Sequence, residues 1–497
     1  MRRSSFPSLT LASLVWICWL FTRIHYREKI TARKLLRNVL DTIRPSRYLS
    51  SYIAKHKVYF LNAYLVDEDV VKIKVISKCR SHSKVMLQVA YRSIRHLTLF
   101  PTEDCSNLVQ KKCGYGAHYA VARKLDHVDV AMVMNTIGKL YIFYRDKPYL
   151  RKTIPLIDSR LETPKHQLAV CTSLLSRFDD WIVLVRFFEM WIEHGATKFL
   201  IYQHSISKEV DGIIRLYEND LTVEIERIPW SDMPVERSTS NEENPNKLLN
   251  SDQAIASDDC ITRSRGKTKY LALTEFDEVL VTFENQSLLS ILDSISEKDP
   301  NAGLFTFFNT NAFLPHTQSQ ATHPTQIDFG NFYKVKVDTR VFHPERISKA
   351  ILIPERIISE SVYWSIKTLN PFTVNSVSPY RSRIIRLRPQ KWTTSDKKLS
   401  TIKRAFANYI PRWNFRFKKL LASEKQRVKQ AAESNYMTLK AKHWKNVDYK
   451  AVDRLNKCYE TLKKRNSYCS VRQKCLESLS NADKKDWVYG GNSWTVL

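Results

Sequence analysis

Hydrophobic and polar positions change rhythm along the chain. Between Lys57 and Asp146, apolar and polar residues alternate in KVYFLNAYLV, DVVKIKVISKC, KVMLQVAYRSI and LYIFYRD. These β-branched and aromatic runs, broken by polar turns, predict a small β-rich domain over residues 56–160. Pro155 and Pro164 bracket a linker, and the period then lengthens. HQLAVCT (166–172) reads as a strand. DDWIVLVRFFEMWIEHG (179–195) places Trp181, Leu184, Val185, Phe188, Trp191 and Ile192 at helical spacing and stops at Gly195. TKFLIYQ is a second strand, SKEVDGIIRLYEND a second helix N-capped by Ser207, and LTVEIERI a third strand ended by Pro229-Trp230. Strand and helix alternating over short connections predict a parallel sheet covered on both faces. Such sheets bind ligands at the carboxyl ends of their strands.

Residues 231–266 are polar and read as a loop. GKTKYLALT then returns to the core and delivers Glu275-Phe276-Asp277-Glu278 at its end. AGLFTFFNTNAF (302–313) and TRVFHPERISKAILIPERI (339–357) read as closing strands, and residues 391–497 as a basic helical extension. At the other end, Ser4 to Thr22 carry no charge and are long enough to span a bilayer. No small-x-small site precedes Arg23, so residues 1–24 read as a cytoplasmic tip and signal-anchor, with a cleaved signal peptide as the alternative. Residues 25–55 form a basic stem. The positive charges after the apolar run outnumber Arg2 and Arg3, which by itself places the N-terminus outside.

Composition narrows the chemistry. Only 10 of the 497 residues are glycine, and neither GxGxxG nor GxxxxGK[ST] occurs, so phosphate must be held without a glycine cradle. A net charge of +29 suggests nucleic acid or an anionic surface. More than half of that excess lies from Lys391 onward, where 25 Lys and Arg face 9 Asp and Glu. No nucleic-acid motif accompanies it, and a nucleic-acid partner is not expected. Of nine cysteines, Cys18 lies in the apolar run; the other eight show no CxxC pair and no zinc spacing. Beside an anchor they point to up to four disulfides in an oxidising compartment, with scattered thiols as the alternative. The sequon Asn285-Gln286-Ser287 is compatible with that compartment.

At a strand end, side-chain alternation sends Glu275 and Asp277 one way and Phe276 toward the core. Two carboxylates on one edge suit a hard cation such as Mn2+ or Mg2+ that also takes phosphate oxygens. Acid-x-acid triplets are also common on solvated loops, and spacing alone favours that reading.

The order of several motifs adds to this. AYLVDEDVVKIKVI (63–76), Cys171-Thr172-Ser173-Leu174-Leu175, Trp181, Phe188-Glu189 and His194-Gly195-Ala196-Thr197-Lys198-Phe199 come first. Leu216-Tyr217, Gln253, Asp258-Asp259-Cys260, the cluster at 275–278, Ile353-Pro354-Glu355-Arg356-Ile357 and Tyr380-Arg381 follow. Over roughly residues 60–385 the chain resembles glycosyltransferase family 92, type II membrane proteins with a GT-A fold. That resemblance implies an α/β domain at 165–390 whose mixed or parallel sheet is flanked by helices. It implies single-pass type II topology in the Golgi or endoplasmic reticulum membrane, through one N-terminal helix, with the catalytic part lumenal. Carried over residue by residue, the family's Asp-x-Asp-Glu motif falls on Glu275–Glu278. Asp277 is then the ligand for Mn2+ or Mg2+, and Glu275 reaches the metal or the ribose. Cys171, Thr172 and Ser173 lie beside the nucleotide-sugar, and Glu278 is the candidate general base. Cys171 and Cys260 flank the same region, where the two can be bridged. The implied reaction is inverting transfer of galactose from UDP-galactose to a glycan or glycoprotein hydroxyl, such as fucose on an N-glycan. Three departures stand out: Glu275 in place of Asp, and Tyr363 and Pro379 where the family carries His. They motivate a second reading, an inactive relative that binds glycans or scaffolds lumenal proteins.

Overall fold

A computed structural model describes residues 57–79, 84–90, 93–101, 115–235, 251–283, 286–313, 321–344, 350–358, 366–388, 399–401, 406–430 and 487–497, with isolated positions between 444 and 475. The chain divides into compact units at Met1–Lys57 and Val58–Leu497. The anchor, the stem, Asn285, Tyr363 and most of the basic extension lie outside the described residues. Among the described residues no helix is long and apolar enough to cross a membrane.

The second unit begins with β1 (Tyr59–Asp67), β2 (Val70–Lys78), β3 (Val85–Val89), β4 (Ser93–Pro101) and β5 (Tyr115–Ala122). Helix α1 (His127–Asn135), capped by Asp126, leads into β6 (Lys139–Tyr144) and β7 (Lys147–Asp158). The strands run in the order β2-β5-β4-β3-β6-β7-β1, and β1 also pairs with β2, so the sheet closes into a barrel. Closure removes the exposed edges that a sheet of this size would otherwise present. Phe60, Leu65, Ile73, Leu87, Leu97 and Ile142 fill its interior.

The larger part follows. Its elements are β8 (His166–Cys171), α2 (Trp181–Glu193), β9 (Ala196–Gln203), β10 (Ser205–Ser207), α3 (Lys208–Glu218), β11 (Glu224–Pro229), α4 (Ser251–Ser264) and β12 (Thr268–Leu273). Then come β13 (Glu278–Thr282), α5 (Leu288–Lys298), β14 (Ala302–Phe307), β15 (Asn309–Phe313), β16 (Lys336–Asp338), β17 (Ala350–Leu352), β18 (Ile357–Ile358), β19 (Lys367–Thr368), β20 (Thr373–Val377), β21 (Ser382–Arg388) and β22 (Leu399–Thr401). The central sheet has the order β11-β9-β8-β12-β17-β14-β20. Its first four strands are parallel, and β17 runs antiparallel between β12 and β14. The sheet is therefore mixed. A second sheet, β13-β21-β15-β16-β22, stands beside it.

Strand alternation sorts the central sheet into two cores. Leu168, Val170, Phe199, Ile201, Tyr270 and Ala272 join one with α2, α3 and α5. Ala169, Cys171, Leu200, Tyr202, Leu271 and Leu273 face the other, where α4 packs together with Tyr59, Leu61, Ile76, Tyr115 and Ala117 of the barrel. One face is thus covered by helices, and the other by a helix and a barrel wall. Ser207 caps α3 by accepting from the Val210 amide. Helix α2 is buried on nearly every side, Arg186, Phe187 and Glu189 included.

Two stretches depart from the pattern expected of them. Residues 251–264, inside the segment read as a loop, form α4; its polar surface disguised a helix because Asp258 and Asp259 are buried and paired rather than solvated. Within 339–357 the described strands are only Ala350–Leu352 and the start of β18, since Pro344 and Pro354 cannot donate to a ladder.

In the C-terminal region, α6 (Tyr409–Gln430) lays Tyr409, Trp413 and Phe417 against the first core. Arg416 donates to the buried Glu189 at 2.7 Å. Finally β23 (Trp487–Tyr489) pairs with β10, and β24 (Thr495–Val496) pairs with β1.

Candidate active site

β8 and β12 lie side by side and end level, with Cys171 opposite Leu273. The segments that leave them, Thr172–Asp180 and Thr274–Asp277, therefore meet at the carboxyl edge of the sheet. Ser173 Oγ donates to the Thr274 carbonyl at 3.3 Å, and the Leu174 amide donates to Gln253 Oε1 on α4 at 2.9 Å. Thr172 is buried, and its Oγ1 accepts from the Tyr202 amide at 3.3 Å, so that hydroxyl serves β9 rather than an open cleft. Cys171 is joined to Cys260 of α4 by a disulfide, Cα to Cα 6.4 Å. Its sulfur is consumed in pinning α4 to the strand end.

The acidic cluster is not the tip of a strand. β12 stops at Leu273, and Thr274–Asp277 forms a turn closed by the Glu278 amide, which donates to the Glu275 carbonyl at 3.3 Å. The turn, not the pleat, brings the carboxylates together: one oxygen each from Glu275, Asp277 and Glu278 lie within 4.8 Å of one another. Glu275 is exposed and Asp277 half-buried, whereas Glu278 opens β13 and is only 2% exposed. Phe276 packs between Phe178 and Phe187, ring centroids 4.8 and 4.6 Å away.

Two unit charges at this separation repel by roughly 3 kcal/mol at an effective dielectric of about 20, so three carboxylates need restraint or a cation. Restraint is present. Arg386 Nε, opposite Glu278 across the β13–β21 pair, donates to Glu278 Oε1 at 3.2 Å. The Leu387 amide donates to the Asp277 carbonyl at 2.8 Å, and Arg186 Nη2 to the Phe276 carbonyl at 2.8 Å. An all-oxygen set of this kind fits a hard divalent cation such as Mn2+ or Mg2+. Glu278, expected to act as the general base, is buried and paired with the Arg386 guanidinium, so in this arrangement its carboxyl faces a cation rather than open solvent.

Sequence reasoning passed over Arg186 and Arg386. Arg186 did leave a signal, a lone cation in the apolar run WIVLVRFFEMW; Arg386 left none, because its partner is fixed by a strand pairing more than a hundred residues away.

A sequence profile of glycosyltransferase family 92 matches residues 166–448, which include every element of this site. The chain belongs to glycosyltransferase family 92. A family 92 protein of Caenorhabditis elegans is 22% identical over 211 residues, covering 42% of this chain and 40% of the relative. The match thus spans less than half of that relative's length. Among solved structures, a mannosyltransferase from Pyrobaculum calidifontis in complex with GDP-Man and Mn2+ is 10% identical, covering 65% of this chain and 90% of its own, with a TM-score of 0.23. An amylomaltase from Corynebacterium glutamicum is 14% identical, covering 35% and 23%, with a TM-score of 0.13. Scores this low carry no argument. Family 92 is a family of glycosyltransferases; for this chain the activity, donor, acceptor and metal are questions that the site has to answer.

Proposed function

We propose that this family 92 protein is a metal-dependent inverting glycosyltransferase that moves galactose from UDP-galactose to a hydroxyl of a glycan or glycoprotein, on the lumenal side of a Golgi or endoplasmic reticulum membrane. One observation carries the reading: Glu275, Asp277 and Glu278 bring carboxylate oxygens within 4.8 Å at the carboxyl edge of the sheet. Without glycine loops, a carboxylate-held cation is the available device for a diphosphate. Asp277 and Glu275 would hold it, with Glu278 closing the inner side. A bound Mn2+ or Mg2+ would neutralise charge on the departing diphosphate.

The chain's own residues supply the rest. Ser173 and the disulfide-pinned end of β8 fix the wall beside the donor, and the buried underside of the turn excludes water. The acceptor oxygen attacks the anomeric carbon as the bond to the diphosphate breaks, and inversion follows from a single displacement. Its proton passes to a base outside the cluster. The measurement that decides is release of UDP from UDP-galactose by the purified protein, with and without Mn2+. Turnover that needs Mn2+ and is lost in Asp277→Ala supports the reading. A folded protein that binds no UDP-sugar would leave the second reading, an inactive glycan-binding or scaffold protein, which the Pro379 departure favours.

A further inference from the structure

We infer that Arg186 is a positioning residue, which holds the acidic turn in the shape that accepts a divalent cation. The inference rests on the metal reading given above. Arg186 lies midway along α2 and is only 6% exposed. A guanidinium is taken into such a place at a cost, and persists only where hydrogen bonds and charge compensate it. One of its nitrogens donates to the Phe276 carbonyl, the peptide between the two carboxylates assigned to the cation. Its planar group also lies over the Phe332 ring, 5.7 Å from the centroid. Phe332 in turn packs on Phe406 and on Trp413 of α6, centroids 5.2 and 5.7 Å away.

Phe276 is therefore gripped at both ends. Its ring sits between Phe178 and Phe187, and its carbonyl is held by Arg186. With residue 276 fixed, the backbone on either side has little freedom, and Glu275 and Asp277 are aimed together rather than driven apart by their charge. Arg386 and the Leu387 amide secure the next residue and the other side of the turn. Groups that orient metal ligands from behind typically alter affinity by roughly 10–100-fold when removed.

Charge and position pull in opposite directions here, which makes the claim separable. Loss of a nearby positive charge by itself tightens cation binding; loss of the carbonyl clamp weakens it. Lysine keeps the charge but loses the planar fork. The test is Mn2+ titration of the purified full chain, alone and with UDP, for wild type, Arg186→Lys, Arg186→Met and Phe332→Leu, each checked by thermal melting. Val185→Ala, a core truncation on the same helix, is the stability control. The expected result is Mn2+ binding weakened about tenfold or more in Arg186→Lys, a smaller loss in Phe332→Leu, and no change in Val185→Ala. A folded Arg186→Lys that binds Mn2+ like wild type overturns the assignment, as does tighter binding in Arg186→Met beside an unchanged Arg186→Lys. If Arg186→Met does not fold, Arg186→Lys and Phe332→Leu decide. Wild-type protein that binds no Mn2+ overturns the metal reading itself, an outcome distinct from variants that match a binding wild type.

Discussion

His194 shows how burial at one residue sets a dependence on pH. It ends α2, and its Nε2 donates to the Leu280 carbonyl at 2.9 Å, which requires the neutral ring to carry its proton there. Burial and the Arg412 charge push its pKa down to about 4, only partly opposed by that hydrogen bond. The unfolded chain takes up a proton near 6.5, so the stability this residue contributes is present above that value and is lost as pH falls. Between pH 6.5 and 5 the loss is about 2 kcal/mol. Urea melts at the two pH values should show this share absent in His194→Gln. Gly490 makes a different demand. A Cβ there would lie 1.9 Å from the Gln203 carbonyl oxygen, and backbone cannot give way as a flexible side chain can. Gly490→Ala should cost about 1–3 kcal/mol and open residues 487–497 to limited proteolysis. Neither role is visible in the residue's identity: the one comes from packing, the other from a strand nearly 290 positions distant.

Among the elements, those with a clear period were legible and those that bury charge were not. The strands 166–171, 196–203 and 268–273 and the helices 181–193 and 208–218 follow from apolar spacing, and Ser207 marks its cap from sequence. Helix α4 escaped because its buried side contains Asp258 and Asp259, which look like surface residues until their partners are known. Lys74 of β2 pairs with Asp258, and burial still pushes that carboxyl up to about 6. Asp259, with no exposure, accepts from the Tyr64 and Tyr202 hydroxyls and pairs with Arg263. Asp259→Ala leaves the Tyr64 and Tyr202 hydroxyls without their shared acceptor and Arg263 with Glu226 as its remaining carboxylate, and should destabilise the protein by about 3 kcal/mol, read as a lowered urea midpoint. The terminal strands β23 and β24 were equally hidden, for two or three residues carry no periodicity.

At the scale of the whole molecule, the barrel and the central sheet share a core. Tyr59, Leu61 and Tyr115 pack into it beside Cys171, Cys260 and Trp230, and β24 joins the barrel while the Trp494 indole donates to the Ser231 carbonyl at 2.9 Å. The sequence by itself determined the alternation of strand and helix, the acidic residues at 275–278 and the family, because period and motif order are local properties of a chain. Only the tertiary structure decided that the carboxylates meet through a turn, that Glu278 is buried and paired with Arg386, and that Arg186 donates to the turn from behind. It also decided that the early strands close into a barrel against the sheet. Those outcomes depend on which distant segments are paired and on where charge is buried, and neither is written in the spacing of neighbouring residues.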